Sequence, residues 1–135
     1  MKKILFAAAM VLAFAVSASA AVKEVGPVTV DVPEGWTTQV QGPASIVLAP
    51  DQKSVVTVAL APASGATAQT LAENASKGMG GKDLKADGDG WVYAFSHSGA
   101  QGLIRVSVQK DQAVICTMIG ENPELMEIAR SVKLK

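Results

Sequence analysis

Short apolar segments separated by turn residues make up most of the chain, and this pattern restricts the possible folds more than any other feature. Valine alternates with polar residues in Val28–Val32, which is typical of a strand with one buried face. Pro33–Gly35 then marks a turn, and similar glycine, proline and aspartate signals recur along the chain. Strands are predicted over residues 28–32, 37–41, 44–49, 54–60, 91–96, 103–109 and 112–119.

The apolar period changes to that of a helix in two places. Residues 67–77 carry apolar side chains at helical spacing, and we expect Thr67 to cap their start and Gly78 to adopt the left-handed conformation past their end. A second helix is predicted to begin at Asn122, a favourable N-cap, with Pro123 at the first helical position. Its apolar residues recur at i, i+3, i+4 and i+7: Leu125, Ile128, Ala129 and Val132.

The order of these elements predicts an α+β fold. Tight turns between successive strands favour an antiparallel sheet. Residues 114–119 lack strict alternation, which favours burial on both faces of that sheet. We therefore expect a mainly antiparallel sheet of about seven strands with helices packed on its faces, an α/β/α sandwich.

Residues 1–20 are predicted to be a secretory signal peptide. Lys2–Lys3 supplies a positive start, residues 4–16 form an apolar run, and Ala18–Ala20 offers small residues at the cleavage site. The apolar run is shorter than the roughly 20 residues that span a bilayer. We expect cleavage after Ala20, a periplasmic location without stable membrane insertion, and one domain over residues 21–135.

Composition narrows the range of partners. Loss of the two lysines near the start leaves the mature chain with a small negative net charge, and it carries no basic patch of the kind that nucleic acid requires. Cys116 is the single cysteine, so no internal disulfide can form. Nucleic acid is therefore not an expected partner.

Residues 85–91, KADGDGW, resemble the centre of a calcium loop. If Asp87 and Asp89 take ligand positions 3 and 5, position 1 falls on Lys85. Position 12 then falls on Ser96, where a glutamate is required. Because Asp-Gly pairs also favour positive φ, we interpret the segment as a turn and expect no specific metal site. Weak ion binding stays an open alternative at three carboxylates: Asp83, Asp87 and Asp89.

No catalytic or cofactor-binding residue is predicted. His97, the single histidine, lies beside serines but outside any Gly-x-Ser-x-Gly motif. An enzyme should bring several titratable groups together in a pocket, and here the carboxylates fall mostly in turns or on helices.

The strand that follows KADGDGW carries an aromatic stripe, Trp91, Tyr93 and Phe95. A four-residue loop at 98–101 would pair Phe95 with Ile104 and gather the large apolar side chains on one buried face. A three-residue loop would pair Phe95 with Arg105 and bury less apolar surface. The opposite, more polar face could bind a partner if the helix leaves part of it open. The candidate contacts there are Ser96, Arg105 and Ser107.

The environment of Cys116 depends on the preceding loop. A two-residue loop at Lys110–Asp111 pairs Cys116 with Arg105, whose charge would favour a reactive thiolate. A three-residue loop pairs it with Val106, and Lys-Asp is a poor type I′ sequence. Apolar neighbours on the same strand face favour an inert, buried thiol.

The element order resembles the PsbP-like family, an α/β/α sandwich around an antiparallel sheet. Val30–Trp36 (VDVPEGW) is similar to the family's opening strand and its Pro-x-Gly-Trp turn, and Pro123–Lys133 (PELMEIARSVK) resembles its C-terminal helix. Members include an extrinsic subunit of photosystem II, a Ran-binding nuclear protein and exported bacterial proteins. The resemblance implies a binding or accessory module, and the family has no shared catalytic motif to transfer.

We therefore expect an exported, non-enzymatic binding or accessory module of the cell envelope, in one version chaperone-like, with a protein partner and no cofactor. Two alternatives stay open. One is an enzyme whose site uses scattered residues, and the other is a structural envelope protein without a small ligand.

Overall fold

The computed structural model describes residues 21–97 and 99–135, without the side chains of His97 and Ala100. The predicted signal peptide, residues 1–20, lies outside the described residues. Within them the chain forms ten strands and two helices. In chain order these are β1 (Ala21–Val25), β2 (Val28–Val32), β3 (Thr37–Gln41), β4 (Ala44–Leu48), β5 (Val55–Pro62), α1 (Ala68–Met79), β6 (Lys82–Asp87), β7 (Gly90–His97), β8 (Ala100–Gln109), β9 (Gln112–Ile119), α2 (Glu124–Ser131) and β10 (Lys133–Leu134).

The strands form two antiparallel sheets within the described residues. The larger has seven strands in the order β3-β4-β5-β9-β8-β7-β6, and the smaller has the order β1-β2-β10. The predicted α+β class and seven-stranded antiparallel sheet are confirmed. The sequence did not predict β1, β6 or β10, and the smaller sheet is therefore new.

Elements pack on both faces of the large sheet, as predicted. Helix α1 lies against β6, β7 and β8 on one face. Helix α2 lies against β5 and β9 on the other face and also contacts β2, so the small sheet shares that layer. The larger core cluster joins α2 and the small sheet to β4, β5 and β9, and it includes Trp36. In the described part of the chain, no helix is long and apolar enough to cross a membrane.

Helix α1 begins as predicted but ends later. The hydroxyl of Thr67 accepts a hydrogen bond from the Thr70 N–H at 3.1 Å, which satisfies a free donor of the first turn. The left-handed residue after the helix is Gly80, with φ +70°, and not Gly78. Gly78 lies inside the last turn, so its predicted role is wrong.

Helix α2 begins close to the predicted point. The side chain of Asn122 accepts a hydrogen bond from the Glu124 N–H at 2.8 Å, while Pro123 stands one residue before the helix. Its buried residues are those of the predicted apolar face: Leu125, Ile128 and Ala129.

The last pair of the β7–β8 hairpin is His97 with Ala100, which excludes the four-residue loop that the sequence favoured. The predicted pairing of Phe95 with Ile104 is wrong, since Phe95 lies opposite Gly102 and Ile104 opposite Tyr93. Because the shift is two residues, every side chain keeps its predicted face. Tyr93 is buried under α1, and the rest of the aromatic stripe packs partly buried beside it.

The β8–β9 hairpin has the two-residue loop. Lys110 and Asp111 have φ of +52° and +60°, as a type I′ turn requires. Gln109 pairs with Gln112 across this turn, and the same register places Arg105 opposite Cys116. The three-residue alternative is therefore wrong.

Candidate functional site

The KADGDGW segment forms the β6–β7 turn. Asp87 pairs with Gly90, which leaves Gly88 and Asp89 as the two central residues. Gly88 has φ +63°, whereas Asp89 is not among the residues with positive φ, so the turn is of type II′ with glycine at its first central position. The interpretation of this segment as a turn is confirmed.

Gly90, the second glycine of the segment, leaves space for the buried guanidinium group of Arg105. A β-carbon on Gly90 would lie 2.9 Å from Cζ of Arg105 and 2.8 Å from the carbonyl oxygen of Val106. Without it, the guanidinium, whose side chain is 6% exposed, reaches the turn. Its Nε donates to Oδ2 of Asp87 at 2.8 Å. Its Nη2 donates at 2.9 Å to the carbonyl oxygen of Asp87 and to Oδ1 of Asp89.

A second arginine reaches the same carboxylate from α2. Nη2 of Arg130 donates to Oδ1 of Asp87 at 2.8 Å, and its Nε lies 3.0 Å from Oδ2. Donation from Arg130, the largest influence, and then from Arg105 lowers the pKa of Asp87 to about 2, against the upward effect of partial burial. Asp87 therefore stays ionised and ties the β6–β7 turn to both β8 and α2.

Arginine side chains supply the counter-charge that a cation would supply in a calcium loop. Both aspartates of the turn accept hydrogen bonds from Arg105. The third acidic candidate, Asp83, lies at the irregular part of β6 with φ +59°. In the described part of the chain, no group of three or more histidine, cysteine or acidic side chains is placed to hold a metal ion.

Cys116 lies opposite Arg105 and is buried. Burial raises the pKa of its thiol to about 12, and the smaller opposite effect of the arginine charge does not offset this. The Sγ atom makes a long contact of 3.9 Å to the carbonyl oxygen of Ala129 under α2. The arginine charge is directed to Asp87 and Asp89, so the reactive-thiolate hypothesis loses its physical basis.

The three predicted binding-face residues share one face of the sheet but differ in access. Arg105 and Ser107 are buried, the first against the β6–β7 turn and the second between Gly90 and Val114. Ser96 is exposed near the end of β7. The face is therefore closed at the β6–β7 turn and open towards the β7–β8 turn.

The open part of this face forms a groove beside α2, because that helix lies over β5 and β9. Two cavities, of about 840 and 510 Å³, adjoin there and share Ala94 and Leu103. Leu103 and Met126 are half-buried against the larger core and form an apolar floor. We call this surface the α2 groove and define it by five residues: Ala94, Ser96, Gln101, Leu103 and Met126.

The rim of the α2 groove carries charges of both signs. Its charged residues are Lys82, Asp83, Lys85, Asp87, Glu121 and Arg130. An apolar floor with a polar rim is the usual anatomy of a protein-binding surface. Its perturbed titratable groups, Asp87 and Arg130, are paired with each other and stay charged at neutral pH.

Sequence reasoning placed Ser96 on this face of the sheet, where it is exposed. It did not include Met126 and Arg130 of α2, which also line the cavities. These two residues are separated by four positions, so they share a side of the helix next to its apolar face. That spacing is the signal that could have found them. The side chain of His97, the single histidine, lies outside the part of the chain that the structure describes.

Comparison with solved structures shows a likeness in fold. No family model and no curated protein matches the sequence. The solution structure of cyanobacterial PsbP (CyanoP) from Synechocystis sp. PCC 6803 matches the fold with a TM-score of 0.53. The match covers 88% of this chain and 94% of that chain at 10% sequence identity.

The chain has a PsbP-like fold. The likeness extends over most of the chain and confirms the fold implied by the VDVPEGW and PELMEIARSVK segments. At 10% identity it concerns the fold alone, so function is argued from the α2 groove.

Proposed function

We propose that this protein is an exported, non-enzymatic binding or accessory module of the cell envelope, and that it binds a segment of a protein partner in the α2 groove. The supporting observation is an apolar floor with a charged rim on a sheet face that α2 leaves partly open.

The chemistry of the groove suits a peptide segment. Leu103 and Met126 offer apolar contact, and an unbranched methionine adapts to different side chains. Ser96 and Gln101 are exposed and can exchange hydrogen bonds with a peptide backbone. The two adjoining cavities share Ala94 and Leu103, so a segment of several residues can contact both.

The groove offers little for acid–base or nucleophilic chemistry. Asp87, held by two arginines with a pKa of about 2, cannot take up a proton near neutral pH. The thiol of Cys116, with a pKa of about 12, is buried and protonated. These values support a binding role over an enzymatic one.

Export is proposed from the pattern of residues 1–20. Ala21, the first residue after the predicted cleavage site, pairs with Val32 in the small sheet, so cleavage after Ala20 would keep this strand pair. The accessory role also agrees with the resemblance to the PsbP-like family.

The proposal is tested by affinity purification from the native periplasm with a groove-filling variant, Ala94→Gln. Ala94 lines both cavities, so a longer side chain there obstructs the floor. The matched control is Lys77→Gln, an exposed change on α1 across the sheet. Circular dichroism confirms that each variant is folded.

We expect a specific protein to co-purify with the wild type and with the control, and its recovery to fall about tenfold with Ala94→Gln. Equal recovery with folded Ala94→Gln would contradict the proposed site. A bound small molecule in place of a protein would contradict the proposed partner class.

A further inference from the structure

The two edges of the large sheet differ in how they are protected. Strand β6 has a register shift between Lys82 and Lys85, with Asp83 at φ +59°, and it carries charges throughout. Bulges and charges of this kind prevent another strand from pairing with an edge. The opposite edge, β3, is Thr-Thr-Gln-Val-Gln, uncharged and in unbroken register with β4 over all five residues.

Strand β3 is mostly exposed to solvent, although it also contacts β1. Within the described residues it pairs with β4 alone, and four of its five residues are exposed. Val40, a β-branched residue with high strand propensity, is 54% exposed. A neutral, regular and exposed edge strand is a surface for adding another strand.

The hairpin turn determines which backbone groups of β3 are free. The two-residue loop Gly42–Pro43 pairs Gln41 with Ala44, and a two-residue hairpin closes on a hydrogen-bonded pair. Hydrogen-bonded and non-hydrogen-bonded pairs alternate along an antiparallel ladder. The N–H and C=O groups of Thr38 and Val40 therefore point away from β4.

We propose that β3 is a self-association edge, at which two copies of this chain pair antiparallel about a twofold axis through Gln39. In this register Thr38 lies opposite Val40 of the second copy, and Val40 opposite Thr38. Both residues direct their backbone groups outward, so the two pairs can form four hydrogen bonds. The outward N–H and C=O groups of Thr38 and Val40 in one copy can therefore pair with the same groups in the other copy.

Charge also favours a second copy as the occupant. No residue of β3 is charged, so the twofold pairing places no like charges opposite one another. Gln39 meets its own symmetry mate, and amide side chains can donate to and accept from each other. The contact is isologous, so it closes at two copies and does not propagate.

The association is expected to be weak and reversible. A five-residue strand is about 17 Å long, and one such edge buries far less than the roughly 800 Å² per partner of a standard interface. Covalent trapping is therefore the appropriate measurement.

The register is tested with Gln39→Cys and Gln41→Cys as a matched pair. Both side chains are exposed on the same strand face. In the proposed dimer position 39 faces itself in a non-hydrogen-bonded pair, with Cα atoms about 4.5 Å apart, within disulfide range. Position 41 lies opposite Thr37 of the second copy, so two cysteines there would be about 14 Å apart, beyond that range. The native Cys116 is buried and does not compete.

Under mild oxidation, we expect Gln39→Cys to form a covalent dimer at least about tenfold faster than Gln41→Cys. Equal rates, or no dimer from either variant, would overturn the proposal. As a second measurement, we expect Gln39→Lys and Gln39→Glu chains to associate more strongly when mixed than either does alone in sedimentation, whereas Gln41→Lys leaves association at the wild-type level. No gain on mixing would also count against the register.

Discussion

Replacement of Asp87 by asparagine tests the ionic connection that closes one end of the proposed binding face. Asp87 is 16% exposed and accepts hydrogen bonds from a buried and an exposed arginine. A fall in its pKa from 3.8 to about 2 corresponds to roughly 2.4 kcal/mol of stability in the ionised form. Arg130 is 51% exposed, so solvent screening reduces its share. Against this, Arg105 loses one of its acceptors while buried, which adds a cost. We expect Asp87→Asn to lower the free energy of unfolding by about 2 kcal/mol.

Urea denaturation at pH 7, followed by circular dichroism, measures this difference. With a slope typical of a small domain, the midpoint should fall by about 1 M or more. Asp89→Asn is the matched control, because its carboxylate is 82% exposed and contacts the same arginine. It should change the midpoint little.

The pH dependence provides an independent check. The pKa of Asp87 is lower in the folded state, so its contribution is present above its ordinary pKa near 4 and is lost as the pH falls towards about 2. The difference between wild type and Asp87→Asn should therefore shrink over this range. A difference below about 0.5 kcal/mol at pH 7, or one that stays constant down to pH 2, would refute the reasoning.

Three further predictions concern single measurements. Cys116 should resist thiol reagents in the native protein at neutral pH and react fully after denaturation, because burial raises its pKa to about 12; fast native labelling would contradict this. Intact-mass spectrometry of the exported protein should show a chain that begins at Ala21, and a mass that retains residues 1–20 would exclude cleavage. Calorimetric titration should show no micromolar calcium binding, because Arg105 already binds both Asp87 and Asp89; calcium binding that Asp87→Asn abolishes would contradict the ionic account of the turn.

Local sequence patterns correctly predicted the elements that have a clear apolar period of their own. The alternation of Val28–Val32 and the apolar period of α2 gave their elements with correct faces. Strands β1, β6 and β10 were missed for different physical reasons. Residues 21–25 are mostly exposed in a small edge strand, β6 is charged and interrupted by a bulge, and β10 has two residues. In each case pairing with a distant strand, rather than local pattern, holds the element in place.

The surroundings of Arg105 could not be predicted because its key contacts are distant in sequence. Arg105 was predicted to be a contact on an open polar face, yet it is buried and donates hydrogen bonds to aspartates 16 and 18 positions earlier. The two glycines of KADGDGW indicated a turn. However, glycine is required at position 90 because Arg105 packs against it, and that contact depends on the β7–β8 register. The register predicted from the sequence was wrong by two residues. The set of side chains on this face was predictable, because alternate residues of a strand point to the same face. A register shift of two residues leaves each side chain on its original face.

Site-specific photo-crosslinking in exporting cells tests the central claim most directly. A photoreactive residue at Ser96 lies in the α2 groove, and the same residue at Lys77 lies on α1 across the sheet. We predict that Ser96 gives a discrete protein adduct at a yield at least about fivefold above that from Lys77. Equal yields from the two positions, or no protein adduct at Ser96, would contradict the assignment of the α2 groove as the binding site.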